Sequence, residues 1–422
     1  MNTVSRPLAA AALAAVIATA GCSSTTGPTV VQGGPATSPS AAPALSPSTP
    51  EATMAALNVE APIHDVPWSQ VGTGWMLAMW SPAPAVNPGA EPPTGEPTFV
   101  DSPQTLYLVN PEGGRYPIAS FPAPGDGPRA ELVDWSGDGT RALFYVEGPE
   151  ASTVTEVDLH TGEQSSFEVE EGFSVTPRYT QPGGKAVLLV KRATIDGPPS
   201  LTRVDLAGNQ QLTYPVDKLA SKFNGSFLST PDGTQLVMGT DSGLALMGND
   251  GKPGSALPVA DSIDCSPTRW WEPGSSVVAA CQGPDYAYSR LWRVPINGDA
   301  PTPLTAVTDD SFGDYLGASS AWNLPAGTFV QAYGGCGYQY LAEAEGPDVK
   351  PTKVIVPKVD EHDSVIIVGA VDGHLQLQAT LSCGSGQSLV DYDPEADTTT
   401  VVLGAGLNGG GVLQAVTYPG SE

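Results

Sequence analysis

The stretch Asp134-Trp135-Ser136-Gly137-Asp138-Gly139-Thr140-Arg141-Ala142-Leu143-Phe144-Tyr145 joins a tight turn to the start of an apolar strand. Asp138 and Gly139 are turn residues for different reasons: the carboxylate can accept backbone N–H groups two residues on, and glycine takes positive φ without a steric cost. The apolar run Ala142 to Tyr145 suits a strand covered on both faces. A second copy stands at Thr230-Pro231-Asp232-Gly233-Thr234-Gln235-Leu236-Val237-Met238. Weaker copies start at Gln181-Pro182-Gly183-Gly184, Glu272-Pro273-Gly274, Leu324-Pro325-Ala326-Gly327 and Val371-Asp372-Gly373, and Gly74-Trp75-Met76 opens the series.

A second strand–turn unit follows each of these. Its anchoring residues are Val109, Val157, Val204, Met247 and Val294, spaced 48, 47, 43 and 47 residues apart, and Ala344 and Tyr392 continue the series. Two hairpins in each repeat of ~45 residues make the blade of a β-propeller. Seven copies predict an all-β chain with seven four-stranded blades over residues 65–422. The Trp-Ser-Gly-Asp-Gly-Thr and Thr-Pro-Asp-Gly-Thr turns resemble the repeats of TolB-like and WD40-like propellers, over residues ~65 to 420. The resemblance implies a fold and no activity, because propellers host unrelated functions. Closing the ring requires a strand from one end of the chain. Gly411 to Tyr418 completing the first blade is favoured over His64 to Gly72 completing the last. The proline-rich stretch Ser81 to Pro103 reads as a loop inserted in the first blade.

Residues 1–21 read as an export signal. Leu8 to Ala18 is uncharged, apolar and rich in alanine; it is shorter than the ~20 residues that span a bilayer and suits a signal h-region. It ends in Thr19-Ala20-Gly21-Cys22, which resembles a bacterial lipobox, with Thr19 where that motif prefers leucine. The resemblance implies a diacylglyceryl group on Cys22. Two acyl chains hold a protein at a membrane far better than one, at ~0.8 kcal/mol per buried CH₂. Residues 22–64 then form a tether: Ser23 to Pro50 carries no charge and is built mainly from Ser, Thr, Pro, Gly and Ala. Such a segment buries too little apolar surface to offset its ordering entropy. The expected localisation is the extracytoplasmic face of the cell membrane.

The chain has 422 residues, 48 Gly, 42 Pro and a net charge of −27, and every acidic residue lies at or beyond Glu51. The acidity argues against nucleic acid, whose binding depends on basic residues neutralising phosphate.

Five cysteines are an odd number for an exported chain. Acylating Cys22 leaves four. Cys265 and Cys281 flank the turn at Pro273 and should face each other across one hairpin. Cys336 and Cys383 end the second strands of neighbouring repeats and should clip two blades together. A zinc site would call for close pairs such as Cys-x₂-Cys, and the chain has none.

Catalytic signatures are weak. No Gly-x-Ser-x-Gly elbow is present. Of the four histidines, His160 falls in a repeat turn and His374 at a strand entry. The run Asp391-x-Asp393-x-Glu395-x-Asp397 has calcium-loop character but lacks the glycine at its sixth position, and Val402 stands where a bidentate glutamate belongs. It reads as an acidic hairpin turn. Loops joining consecutive blades share one face, where Glu168, Glu170 and Glu171, then Asp261, Asp264, Asp309, Asp310, Asp314, Asp360, Glu361, His362 and Asp363, would gather. That face is the candidate site for a metal or a cationic ligand, calcium included, set against a plain solvated surface. No other cofactor is expected. The functional expectation is a monomeric, membrane-anchored propeller that binds envelope or secreted proteins. The alternative is a lyase, lactonase or glycosidase working in the central funnel.

Overall fold

The computed structural model describes residues 53–54, 59–83, 94–125, 127–148, 151–169, 174–192, 197–284, 289–308, 315–335, 338–357, 359, 363–381, 385–404 and 409–419. The described residues form 29 strands and three single-turn 3₁₀ segments, as an all-β propeller.

In chain order the strands are β1 (Thr53–Met54), β2 (Met76–Ser81), β3 (Gln104–Val109) and β4 (Arg115–Phe121); β5 (Glu131–Trp135), β6 (Arg141–Val146), β7 (Ser152–Asp158) and β8 (Gln164–Val169); and β9 (Ser174–Tyr179), β10 (Val187–Arg192), β11 (Pro199–Val204) and β12 (Gln210–Thr213). Next come β13 (Phe223–Ser229), β14 (Gln235–Thr240), β15 (Gly243–Gly248) and β16 (Pro253–Pro258), then β17 (Ile263–Glu272), β18 (Ser276–Gln282), β19 (Ser289–Pro295) and β20 (Thr302–Pro303). The chain continues through β21 (Gly317–Leu324), β22 (Gly327–Tyr333), β23 (Gln339–Glu343) and β24 (Thr352–Lys353), then β25 (Asp363–Val371), β26 (His374–Leu381), β27 (Ser385–Asp393) and β28 (Thr398–Gly404), and ends with β29 (Gly411–Thr417).

Hydrogen bonding groups these strands into six sheets rather than the seven separate ones that the repeat count predicts. The strands β13–β16 and β17–β20 share a sheet because Thr240 of β14 pairs with Cys265 of β17. Apart from that pairing, the strands of every sheet run antiparallel in sequence order, with two exceptions. The ring closes through β29, which pairs with β2 in the order β29-β2-β3-β4, Leu77 opposite Val416. Residues 63–65 and 68–70, part of the other closure considered, form 3₁₀ turns instead. The second exception is β1, which runs parallel to β28 on the outer edge of the last sheet.

The packed body begins ahead of residue 65, the boundary read from composition. Glu60 bridges to Arg115 at the start of β4 and accepts hydrogen bonds from Arg115 Nε at 3.2 Å and the Tyr107 hydroxyl at 3.1 Å. Burial, then the Glu60 charge, pushes the Tyr107 hydroxyl up to about 12. Ile63, Trp68 and Val71 pack onto the core cluster of Leu77, Leu106, Trp135 and Phe144.

The core lies between facing sheets. The second strand of each unit is apolar at nearly every position, as in Ala142 to Tyr145, Val187 to Val190 and Leu236 to Met238, all buried. Such strands are covered on both faces by neighbouring units.

An innermost strand has one ladder partner, so its other edge presents unpaired N–H and C=O groups. Side chains from adjacent units bond many of these groups. Gln414 Oε1 accepts the Leu132 N–H at 2.7 Å, and Asp134 Oδ2 accepts the Tyr179 N–H at 2.7 Å. Asn224 Nδ2 donates to Cys265 O at 3.0 Å, and Arg269 Nη1 to Ala321 O at 3.1 Å. Gln331 spans Val365 O (2.9 Å) and the Ile367 N–H (2.6 Å). Gln378 Nε2 donates to Val412 O at 3.1 Å, and Arg192 reaches Asn224 O.

Candidate functional site

The turns that close the first hairpin of each repeat build one end of the molecule. In the quoted copy, Asp138 Oδ1 accepts from Ser136 Oγ (2.6 Å), Thr140 Oγ1 (2.7 Å) and the Thr140 N–H (3.2 Å). In the second copy, Asp232 Oδ1 accepts from Thr230 Oγ1 (2.7 Å), Thr234 Oγ1 (2.9 Å) and the Thr234 N–H (3.0 Å). The shared pattern hydroxyl-x-Asp-Gly-Thr is thus a closed hydrogen-bond ring, with Gly139 at φ 74° and Gly233 at φ 69°. Hydrogen bonds from Thr230 and Thr234 hold the Asp232 carboxyl below its usual range. Burial pulls Asp138 the other way, but bonds from Ser136 and Thr140 and the Arg141 charge outweigh it and lower its pKa as well.

Successive turns touch. A Cβ on Gly137 would stand 1.9 Å from Pro182 O, and one on Gly233 1.9 Å from Gln181 O. Glycine is required at both places so that neighbouring turns can meet.

Where the innermost strands end at these turns they enclose a cavity of about 600 Å³. It is of a size that accommodates small ligands or side chains. Five innermost strands reach it at or near their C-terminal ends: β5 with Trp135, β9 with Tyr179, β13 with Phe227, β17 with Trp270 and β29 with Val416. Val368 of β25 and the prolines 182, 231, 273 and 419 complete an apolar wall. Trp135 meets Tyr418 edge to face, with centroids 5.2 Å apart.

The charged lining residues are Asp134 and Arg178. Asp134 accepts the Trp135 N–H (2.9 Å) and the Tyr179 N–H. Arg178 Nη1 donates to Val133 O, and Trp270 Nε1 to Ser229 O at 3.1 Å. The Tyr179 hydroxyl points away, to Glu156 Oε2 at 3.1 Å; burial, then Glu156, holds it well above the usual tyrosine range. These polar groups are spent on joining sheets; Trp135, Tyr179 and Trp270 are themselves buried, and Phe227, Tyr418 and the prolines remain at least partly exposed.

The described members of the acidic face expected from the sequence, Glu168, Asp261, Asp264 and Asp363, stand at the opposite end of the strands from the cavity. Asp261 lies between β16 and β17 and Asp264 is the second residue of β17, both in the left-handed region at φ 53° and 46°. Asp264 Oδ1 accepts from Asn224 Nδ2 at 2.9 Å, so it joins two innermost strands. Glu168 stands on the outer strand β8, and Asp363 opens β25. Glu170, Glu171, Asp309, Asp310, Asp314, Asp360, Glu361, His362 and the side chain of Asp363 lie outside the described residues, as do Cys22, Cys336 and Cys383. Among the described residues no group of three His, Cys, Asp or Glu is placed to hold a metal.

Cys265 and Cys281 form the disulfide across the β17–β18 hairpin. The acidic run at 391–397 is a hairpin turn between β27 and β28, where Asp393 Oδ1 accepts the N–H groups of Glu395 and Ala396. His374, at the start of β26, lies beside it: Nδ1 is 2.7 Å from Asp391 Oδ2, and Nε2 is 3.8 Å from Asp393 Oδ2. The Asp391 hydrogen bond raises the His374 pKa above its ordinary value.

Sequence reasoning missed the cavity. Its signal was present: Trp135, Tyr179, Ser229 and Trp270 each stand within three residues before a first-hairpin turn. Read repeat by repeat, those positions fall on one ring.

No protein-family model matches this chain, and no curated protein matches it. Solved structures do. The β-propeller domain of the Trilobed protease from Pyrococcus furiosus matches at 11% identity and a TM-score of 0.48, over 79% of this chain and 94% of that one. An oligogalacturonate lyase from Vibrio parahaemolyticus matches at 14% identity and 0.46, over 79% and 87%. A prolyl endopeptidase matches at 13% identity and 0.47, over 71% of this chain; the match spans 46% of the length of that one. No activity follows from similarities of this size.

Proposed function

We propose that this chain is a lipid-anchored extracytoplasmic scaffold that uses the cavity of its propeller to bind an apolar or aromatic segment of an envelope or secreted partner. The seven sequence repeats support reading β13–β16 and β17–β20 as separate blades, seven in all. The observation that carries the binding reading is the use of polar atoms in the cavity wall. Asp134, Arg178 and Trp270 direct hydrogen-bonding groups at neighbouring main chain, and Phe227, Tyr418 and the prolines supply contact area. General acid–base chemistry needs groups free to exchange protons with a substrate, whereas aromatic walls suit recognition. The lipobox resemblance at Thr19 to Cys22 supports the anchor, and the uncharged stretch Ser23 to Pro50 supports a tether.

The test has two arms in the native host. With an alkyne-bearing fatty acid, the wild type should label and sediment with membranes, and Cys22→Ser should do neither. An unlabelled wild type overturns the anchor. In the second arm, a protein crosslinked by the wild type should be lost on Phe227→Ala while thermal unfolding stays cooperative. A crosslinked set unchanged by Phe227→Ala overturns the use of the cavity.

A further inference from the structure

The two charges in the cavity wall are used unequally. Both Asp134 oxygens are engaged, Oδ1 by the Trp135 N–H at 2.9 Å and Oδ2 by the Tyr179 N–H at 2.7 Å. Arg178 is exposed, and it donates from Nη1 alone, to the carbonyls of Val133 and Pro177. Its Nε and Nη2 have no partner among the described residues. A guanidinium carries five N–H donors in a planar fork, so part of that fork and its charge stay open to a ligand.

The other uncommitted polar atoms of the wall are of the same kind. Ser229, Thr417 and Tyr418 line the cavity, and their hydroxyls have no partner among the described residues. Trp135 is 2% exposed, and its indole Nε1 has no hydrogen-bond partner there either. An indole N–H only donates, and a hydroxyl can donate. The wall thus offers donors and one positive charge, while its negative charge is held on main chain. A carboxylate complements that set, because it only accepts and an arginine fork binds it with two parallel bonds. An ammonium group finds no such set, since the Asp134 oxygens are already taken.

Shape and apolar contact narrow the occupant further. Phe227 and Tyr418 are partly exposed beside Pro182, Pro231, Pro273 and Pro419. A cavity of about 600 Å³ lies in the range of small-ligand sites, so it admits a chain end of a few residues and excludes a folded domain. A chain end needs a single opening, whereas an internal segment must also find a way out. Capture of a C-terminal carboxylate is a recurring mode of peptide recognition.

We infer that the cavity takes the C-terminus of the partner chain, with the terminal carboxylate on Arg178 and the last apolar or aromatic side chain against Phe227 and Tyr418; this rests on the reading of the cavity as a binding site. Recognition of this kind selects chain ends, and a partner whose C-terminus is blocked or extended is rejected, because the Arg178 fork is then left without its anion.

The test uses the full chain carrying Cys22→Ser and three acetylated tetrapeptides, Gly-Pro-Gly followed by Phe, Tyr or Leu, each as the free acid and as the C-terminal carboxamide. Calorimetry should show the best acid binding at least about tenfold more tightly than its amide, as a charge-assisted pair predicts. Arg178→Gln should bring that ratio below about twofold, and Arg178→Lys, which keeps the charge and loses the fork, should leave an intermediate ratio. Equal binding of acid and amide by the wild type, a ratio that survives Arg178→Gln, or no binding of any acid at about 1 mM overturns the inference. Binding of 3-phenylpropionate as tightly as the best peptide acid overturns the peptide end and assigns a small carboxylate instead. In the native host, Arg178→Gln should lose the same crosslinked protein as Phe227→Ala, with thermal unfolding still cooperative. A protein lost on Phe227→Ala and retained on Arg178→Gln overturns carboxylate capture and leaves the scaffold reading standing; one retained on both sinks the scaffold reading.

Discussion

The Asp134 carboxylate accepts the Tyr179 N–H at 2.7 Å, joining the ends of two neighbouring innermost strands at the wall of the cavity. The strand β9 has no ladder partner on that edge, so the contact satisfies an N–H that would otherwise face an apolar wall. A hydrogen bond to a charged group contributes about 1.5–3 kcal/mol. Asp134→Ala is expected to lower unfolding free energy by about 2 kcal/mol, and Asp134→Asn by less, because an amide oxygen still accepts. Chemical denaturation of the two variants measures the difference.

Gln331 performs the equivalent task between β22 and β25, with both ends of its carboxamide bonded and only 5% of the residue exposed. Gln331→Ala leaves the Ile367 N–H and the Val365 carbonyl without that partner. The expected cost is about 2–4 kcal/mol, from two buried groups at roughly 1–2 kcal/mol each. Faster amide exchange at Ile367 should accompany it.

Gly233 and Gly274 form a matched pair. Both have positive φ, at 69° and 71°. A Cβ at Gly233 would strike Gln181 O at 1.9 Å, whereas one at Gly274 meets nothing within 4 Å. Gly274→Ala should cost about 1–2 kcal/mol, the price of the left-handed conformation alone. Gly233→Ala should cost clearly more, and the gap between their melting temperatures reports how tightly adjacent turns pack.

His374 faces Asp391, Asp393 and Asp372, and its pKa is raised above 6.5, first by the Asp391 hydrogen bond. A raised folded-state pKa means that the contact stabilises the fold fully below the unfolded value of about 6.5. The contribution is lost as pH rises through the higher folded value. An NMR titration should place His374 above 6.5, and Asp391→Asn should bring it down. Asp232 behaves oppositely: its lowered pKa makes its contribution complete above its ordinary 3.8, and falling pH removes it.

The Cys265–Cys281 disulfide closes a separation of 16 residues. A loop of that size is expected to contribute about 3 kcal/mol by constraining the unfolded chain. The double variant Cys265→Ala/Cys281→Ala should unfold at correspondingly lower denaturant concentration.

Much of the architecture was legible locally. Asp138-Gly139 and Asp232-Gly233 form the turns their chemistry predicts, and the second strands are buried on both faces as their unbroken apolar runs require. The 265–281 pairing followed from symmetry about Pro273. The closing strand β29 was also readable, as an apolar run left over after the repeats were counted. The merging of two units into one sheet was not, because the pairing of Thr240 with Cys265 joins strands that belong to different repeats.

The cavity was hidden for a related reason. Trp135, Phe227, Trp270 and Tyr418 are far apart in the chain, and each alone reads as an ordinary core aromatic. Turn chemistry and strand period act over a few residues, so the amino-acid order already specified hairpins, their repeat and the class of fold. Closure of the ring acts over the whole chain. It alone brought those side chains to one end and committed Asp134 and Arg178 to neighbouring main chain.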